Sequence, residues 1–239
     1  MIRRTVIGAL VAFVPALAVS AEPKDELKAA VKKLADGGNY SWTRRVEGGF
    51  GFGASEGKTE KDGPTAFSFK MQDNSYDVII KGEKAAAKGS AGWASAAELA
   101  KDSEGNGNGF SPERMLSMMI KNFETPVTQA KTLTDKVDSV AKSDDAYVAE
   151  LSPDTAKDLL TFRRRGGNNA NAPQIEVKDP KGTLKCWIKD GALSKMELHL
   201  QGTVSFNGNE RDVNRTTTTE FKNVGTTKVA VPDEAKAKL

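Results

Sequence analysis

From Ile175 onward, about a quarter of the sequence, the chain reads as strands almost to its C-terminus. The candidate strands are Ile175 to Val177, Leu184 to Ile188, Leu193 to Phe206, Thr216 to Val224 and Lys228 to Val231, with Pro232 to Lys238 closing as a short helical turn. The segment around Asp190-Gly191 constrains pairing most. Leu184, Cys186 and Ile188 share one face, as do Met196, Leu198 and Leu200, and only an odd-length loop brings the two sets together. A three-residue Lys189-Asp190-Gly191 loop is expected, pairing Leu184 with Met196 and Trp187 with Leu193. Lys185, Trp187, Lys195, Glu197 and His199 then lie on the opposite face.

Upstream, the period changes twice. Pro23 to Ala35 carries Leu27, Ala30, Val31 and Leu34 at helical spacing, with Gly37-Gly38 as a stop. From Tyr40 the period is two: Tyr40 and Trp42, Phe67 and Phe69, then Tyr76, Val78 and Ile80 mark half-buried strands, and Ala85 to Lys88 returns after a Lys81-Gly82-Glu83 turn. Trp93 to Lys101 reads as a short helix, and Glu104 to Gly109 as a loop. Ser111-Pro112 opens a helix with the apolar stripe Met115, Leu116, Met119, Ile120 and Phe123, which Thr125-Pro126 ends. Leu133, Val137 and Val140 suggest a weaker helix behind it, and Ser152-Pro153 starts another with Ala156, Leu159, Leu160 and Phe162. Arg163 to Pro173 is a basic, Gly/Asn-rich linker.

The N-terminus is built for export. Arg3-Arg4 precedes the apolar run Val6 to Val19, and Val19-Ser20-Ala21 supplies small residues for cleavage before Glu22. Residues 1–21 are therefore expected to be a cleaved signal peptide and residues 22–239 a single domain, periplasmic or secreted. In such an oxidising compartment the single Cys, Cys186, has no partner in the chain and is read as buried rather than reactive.

Composition excludes several chemistries. With 35 Lys and Arg against 32 Asp and Glu, the net charge of +3 gives no electrostatic case for nucleic acid. One Cys and one His remove most disulfide frameworks, zinc sites and His-based catalytic sets, the hairpin places Cys186 and His199 on opposite faces, and no G-x-S-x-G elbow accompanies His199. Gly49-Phe50-Gly51-Phe52-Gly53-Ala54 fits the letters of a dinucleotide fingerprint, but Ser55-Glu56-Gly57-Lys58 does not read as the helix that must follow. Asp73 and Asp144-Asp145 read as solvated turns rather than a catalytic acid and base. No catalytic, metal or cofactor residue is assigned, and the chain is read as non-enzymatic. Arg163-Arg164-Arg165 is a candidate contact for anionic lipid headgroups or an acidic partner surface, or else a solvated loop. The Met115, Met118 and Met119 cluster fits either an adaptable apolar cover or ordinary core.

The segment Leu184-Lys185-Cys186-Trp187-Ile188-Lys189-Asp190-Gly191-Ala192-Leu193-Ser194-Lys195-Met196-Glu197-Leu198, with Thr216 to Glu220, Phe221-Lys222-Asn223-Val224-Gly225 and Val229-Ala230-Val231-Pro232, resembles the LolA-like and LprG-like periplasmic lipid and lipoprotein carriers. That resemblance implies an α+β fold: a strongly curved antiparallel sheet, or half-barrel, with helices covering the concave face and an apolar cavity between them. It makes Met115, Leu116, Met119, Ile120 and Phe123 candidate cover residues, and Leu184, Cys186, Met196 and Leu198 candidate inward residues. The implied partner is a lipid or lipoprotein acyl chain, bound by a monomer without cofactor. The competing expectation is a structural or interaction module with a filled core, binding a cell-envelope protein. If residues 1–21 are removed on export, N-terminal sequencing or intact mass of the protein recovered from the periplasm or medium will begin at Glu22.

Overall fold

The computed structural model describes residues 22–48, 54–71, 74–105, 111–161, 175–206 and 208–239. The expected signal peptide, Gly49 to Gly53, Asp73 and the Arg163 linker lie outside these residues.

Helix α1 (Pro23–Asp36) leads into six strands, β1 (Tyr40–Glu47), β2 (Ala54–Thr59), β3 (Thr65–Met71), β4 (Asn74–Lys81), β5 (Lys84–Gly89) and β6 (Gly92–Ser95). Three helices follow, α2 (Ala96–Gly105), α3 (Pro112–Lys121) and α4 (Pro126–Lys136). A short hairpin, β7 (Ala141–Ser143) and β8 (Ala146–Glu150), then α5 (Pro153–Leu160), precede the long strands β9 (Ile175–Lys189), β10 (Ala192–Phe206) and β11 (Asn209–Lys222). The chain ends at α6 (Asp233–Lys236).

All strands join one open antiparallel sheet in the order β6-β5-β4-β3-β2-β1-β11-β10-β9-β8-β7. Two meanders, one from each end of the chain, are joined by pairing β1 to β11. The strands β6 and β7 are thus opposite edges of the sheet, and residues 96–140 must carry the chain from one to the other. Ten inter-strand steps of about 4.8 Å make that span roughly 48 Å along the sheet. The helices α2, α3 and α4 are this crossing, so a helical cover follows from topology. The result is an α+β half-barrel, with α1 and α5 packed over β9 and β10 and α2 and α3 over β5.

Local chemistry accounts for the helix starts. Ser111, Thr125 and Ser152 each accept a hydrogen bond from the backbone N–H three residues on, and each is followed by Pro at the first helical position. Thr125-Pro126 therefore begins α4 as well as ending the preceding segment. Ser95 and Glu98 form a reciprocal capping box, with Glu98 N–H on Ser95 Oγ at 3.2 Å and Ser95 N–H on Glu98 Oε2 at 2.7 Å. That box starts α2 at Ala96, so Trp93, expected in a helix, lies in β6 opposite Lys88. Helix α2 also runs through Glu104 and Gly105, expected as loop.

Other expectations change for physical reasons. The β9-β10 turn has two residues, Asp190 and Gly191, both at positive φ, instead of three. A bulge between Leu193 and Lys195 supplies the extra residue, so Leu184 pairs with Leu198 and Cys186 with Met196. The register differs from expectation, yet the face assignment survives because turn plus bulge has the parity of a three-residue loop. Ile175 to Val177 and Leu184 to Ile188 are one strand, continuous through Asp179 at φ 49°. Lys228 to Val231 is no strand; there the Val229 N–H donates to Glu60 Oε1 at 2.6 Å rather than to a neighbouring strand. Val137 and Val140 lie beyond α4, and the β7-β8 hairpin turns at Asp144-Asp145, with Asp144 at φ 54°.

The inner face reads across strands. One rung runs Ala94, Ala87, Val78, Phe67, Gly57, Trp42, Phe221. At Gly57 a Cβ would stand 2.3 Å from Trp42 Cζ2 and 2.8 Å from Phe67 Cβ, so the indole can lie across β2 only because no side chain is there. The outward Ile79 and Ala86 are buried as well, and α6 packs on β6 beside them. The Gly57→Ala variant should lose about 2 to 3 kcal/mol of stability in urea denaturation, through displacement of Trp42.

Candidate functional site

The candidate site is the concave face and its cover. The rung next to Trp42 runs Tyr76, Phe69, Ser55, Arg44, Thr219, Met196, Cys186, Tyr147 across eight strands. The following one holds Val46, Thr217, Leu198, Leu184 and Ala149. Leu184, Cys186, Met196 and Leu198 thus form a block of inward, buried side chains on β9 and β10, under α1 and α5.

On the other half of the bowl the inner face is aromatic. Phe69 stacks on Tyr76 at 5.3 Å between centroids, Phe67 on Phe69 at 6.4 Å, and Trp42 lies 6.0 Å from Phe67. Phe123, just past α3, stacks nearly parallel on Phe67 at 4.7 Å. Met115 and Leu116 are buried, while Met119, Ile120 and Phe123 are half-buried against the same continuous core. Met118 is 39% exposed. The predicted cover and inward residues therefore belong to one core but to different halves of it: α3 packs mainly on α2 and β5, not over β9 and β10. Arg163, Arg164 and Arg165 lie outside the described residues.

Between the two halves sits a polar centre that sequence reading missed. Arg44 projects inward from β1 directly opposite Thr219 of β11. Its Nη2 donates to Gln129 Oε1 of α4 at 2.9 Å, and its guanidinium lies 5.7 Å from the Trp42 ring centroid. Neither the buried Nε of Arg44 nor the buried Oγ1 of Thr219 has a hydrogen-bond partner in the protein. Burial pushes the Arg44 guanidinium below its ordinary value, while Tyr40 and Glu124 act to raise it. Arg215, also inward on β11 and buried, donates from Nη2 to the Leu159 carbonyl at 3.3 Å, and burial lowers it too. The signal for Arg44 was present in the Trp42-Thr43-Arg44-Arg45-Val46 alternation. Thr219 sits in a run of four threonines with no apolar period to betray its face.

Beyond the Trp42 rung from this centre, a cleft of about 340 Å³ lies between the β2-β3 turn, the β4-β5 turn and the α3-α4 junction. Phe123, Ile80, Thr59, Thr65, Glu60 and Glu124 are among its walls. Thr59 Oγ1 accepts from Trp42 Nε1 at 3.3 Å, so the cleft floor contacts the aromatic cluster.

The remaining chemistry is quiet. His199 is half-exposed on the outer face, with Nε2 2.8 Å from Asn214 Oδ1, and is separated by the sheet from Cys186. Ser55 to Lys58 are strand, with no helix for a pyrophosphate. Among the described residues no group of three or more His, Cys, Asp or Glu is placed to hold a metal ion, and no helix is long and apolar enough to cross a membrane.

No family model and no curated protein matches this chain. Two solved structures are similar to it over most of its length. LprF from Mycobacterium bovis shares 9% identity at a TM-score of 0.46, covering 89% of this chain and 97% of its own. The lipoprotein LppX from Mycobacterium tuberculosis shares 8% identity at a TM-score of 0.43, covering 84% of this chain and 97% of its own.

Burial alone pushes the Cys186 thiol up to about 12. Native Cys186 should therefore react with a maleimide at pH 7 at least about a thousand-fold more slowly than in urea, since labelling must wait for opening. The sign with pH follows: burying the neutral thiol favours folding fully below the ordinary thiol value of 9.0, and that contribution is lost as pH rises from 9.0 towards about 12.

Proposed function

We propose that this is an exported, non-enzymatic binding protein that holds an acyl chain, or another apolar ligand, between its curved sheet and the helices crossing it. The observation that carries the reading is the cover itself. The helices α2 to α4 have at most eleven residues each, and α3 leaves Met119, Ile120 and Phe123 half-buried over an aromatic wall. Displacing that cover uncovers Trp42, Phe67, Phe69 and Tyr76 as one contiguous apolar surface, and Met side chains adapt to whatever shape enters. A sixteen-carbon chain buried at about 0.8 kcal/mol per methylene supplies roughly 12 kcal/mol before costs, comparable with the packing of a short helix. The carrier is read as a monomer acting in the periplasm or outside the cell, and Arg163 to Arg165 as its contact with anionic headgroups or an acidic partner.

A second reading, a filled module that binds an envelope protein through its surface, is favoured by a different observation. Leu184, Cys186 and Met196 are sealed from solvent at 1% exposure or less, and Met115 and Leu116 are buried in the same core. The two readings differ in what leaves with the protein on purification. Mass spectrometry of organic extracts from the mature protein is expected to release acyl-bearing species in near-stoichiometric amount. Extracts free of such species, from a folded protein that also fails to take up an added fatty acid, would leave the filled module as the account.

A further inference from the structure

The carrier reading leaves open which end of a ligand the bowl recognises, and the polar centre bears on that. A concave face meant only for hydrocarbon has no use for a guanidinium. Arg44 stands there nonetheless, on the rung between Ser55 and Thr219, with Phe69 and Met196 beyond them. Two of its features point to a ligand rather than to internal structure. Gln129 takes only Nη2, and the buried Nε–H finds no acceptor in the protein. Directly across the β1-β11 pair, the Thr219 hydroxyl, fully buried, is likewise unmatched. Buried polar atoms left in this way forfeit their hydration without compensation, so they are rare in folded interiors without a partner.

The pair can meet one group together, because side chains directly opposite in an antiparallel pair have Cβ atoms about 5 Å apart. Both offer a hydrogen: guanidinium Nε–H and threonine O–H. Their common partner is an oxygen-rich, negatively charged group. Two arginines, Arg44 and Arg215, are turned inward on these central strands, Arg44 held by Gln129 and Arg215 donating to the Leu159 carbonyl. Glu124 also lines the 340 Å³ cleft, whose strand residues Thr59, Thr65 and Ile80 lie beyond the Trp42 rung from Arg44, so a ligand entering there would pass along the aromatic wall to reach Arg44.

Resting on the carrier reading, we propose that Arg44 and Thr219 form the subsite for the anionic end, carboxylate or phosphate, of a single amphiphilic ligand. Its chain then lies along the aromatic wall of Trp42, Phe67 and Phe69. Helix α4 closes over the head through Gln129.

The test compares dodecanoate, dodecyl phosphate and 1-dodecanol by calorimetric titration of the mature protein at pH 7.5, below their micelle or solubility limits. At least one anion is expected to bind about ten-fold or more tightly than dodecanol, and the stronger of the two names the headgroup chemistry. In Arg44→Gln that preference should fall to about three-fold or less. In Thr219→Val, a near-isosteric change that removes one unmatched hydroxyl without threatening the fold, anion affinity should fall about three-fold while dodecanol affinity holds. Equal binding of all three by the wild-type protein overturns the subsite and leaves the carrier standing. An anion preference unchanged in folded Thr219→Val and Arg44→Gln also overturns it. Binding of none of the three overturns the carrier reading, and the subsite with it.

Discussion

The pairing of β1 with β11 is the contact on which the rest of the molecule depends. It joins two meanders that the chain lays down at opposite ends of its length, and so sends β6 and β7 to opposite margins of one sheet. Once those margins are fixed, the intervening residues have to traverse a bowl measuring roughly 48 Å along its sheet, and they do so over its apolar side. Covering the concave face is therefore not an independent design problem for this sequence. Amphipathic helices solve it because they satisfy their own backbone hydrogen bonds while presenting one apolar stripe downward.

That same pairing sets what the centre of the bowl contains. Inner positions of β1 and β11 face each other in the middle of the sheet, and beside Trp42, Val46 and Phe221 they include Arg44, Thr217, Thr219 and Arg215, where β9 and β10 carry Leu and Met. Placing a guanidinium in a half-buried, aromatic surrounding is costly, and Trp42, Gln129 and Glu124 each offset part of the cost. Apolar residues of similar volume often serve stability equally well or better at such a position. The presence of Arg44 and Thr219 at the centre of the bowl is what the proposed anion subsite accounts for and folding energetics alone does not.

Where local chemistry determined structure, it was legible in the sequence. The Ser-Pro starts at Ser111 and Ser152 marked real caps, and the period-two segments from Tyr40 to Ile80 became strands. Parity in the Asp190-Gly191 hairpin was readable even though the register was not, because a bulge and a longer loop are equivalent in face assignment and differ only in which residues are opposite. What could not be read depended on distant partners. The β7-β8 hairpin has three- and five-residue strands that gain their identity by pairing Ala146 to Glu150 with β9. Lys228 to Val231 has the composition of a strand, but its backbone is tied instead to the Glu60 carboxylate through the Val229 N–H. Which half of the bowl α3 lies over was likewise not readable, since nothing in its stripe specifies it.

The two halves are unequally held, and this decides where any opening must occur. Over β9 and β10, α1 buries Leu27, Ala30, Val31 and Leu34 and is fastened to β8 by the Tyr147 hydroxyl donating to Glu26 Oε2 at 2.5 Å. Helix α5 adds Ala156 and Leu160 to the same region. The crossing helices are attached more lightly on the α3 side, where only Met115 and Leu116 are buried and the junction to α4 is pinned by the Phe123 stack and the Arg44 to Gln129 hydrogen bond. Free energies of local opening follow buried apolar contact, so α3 and its junction will separate from the sheet before α1 or α5 does. The cleft at Phe123 and Glu124 lies at that junction. An entering chain that replaced the Phe123 stack with its own apolar contacts, and offered an anion to Arg44 as Gln129 withdrew, would exchange one set of interactions for an equivalent set. In such an exchange the cost of opening is met by the ligand itself.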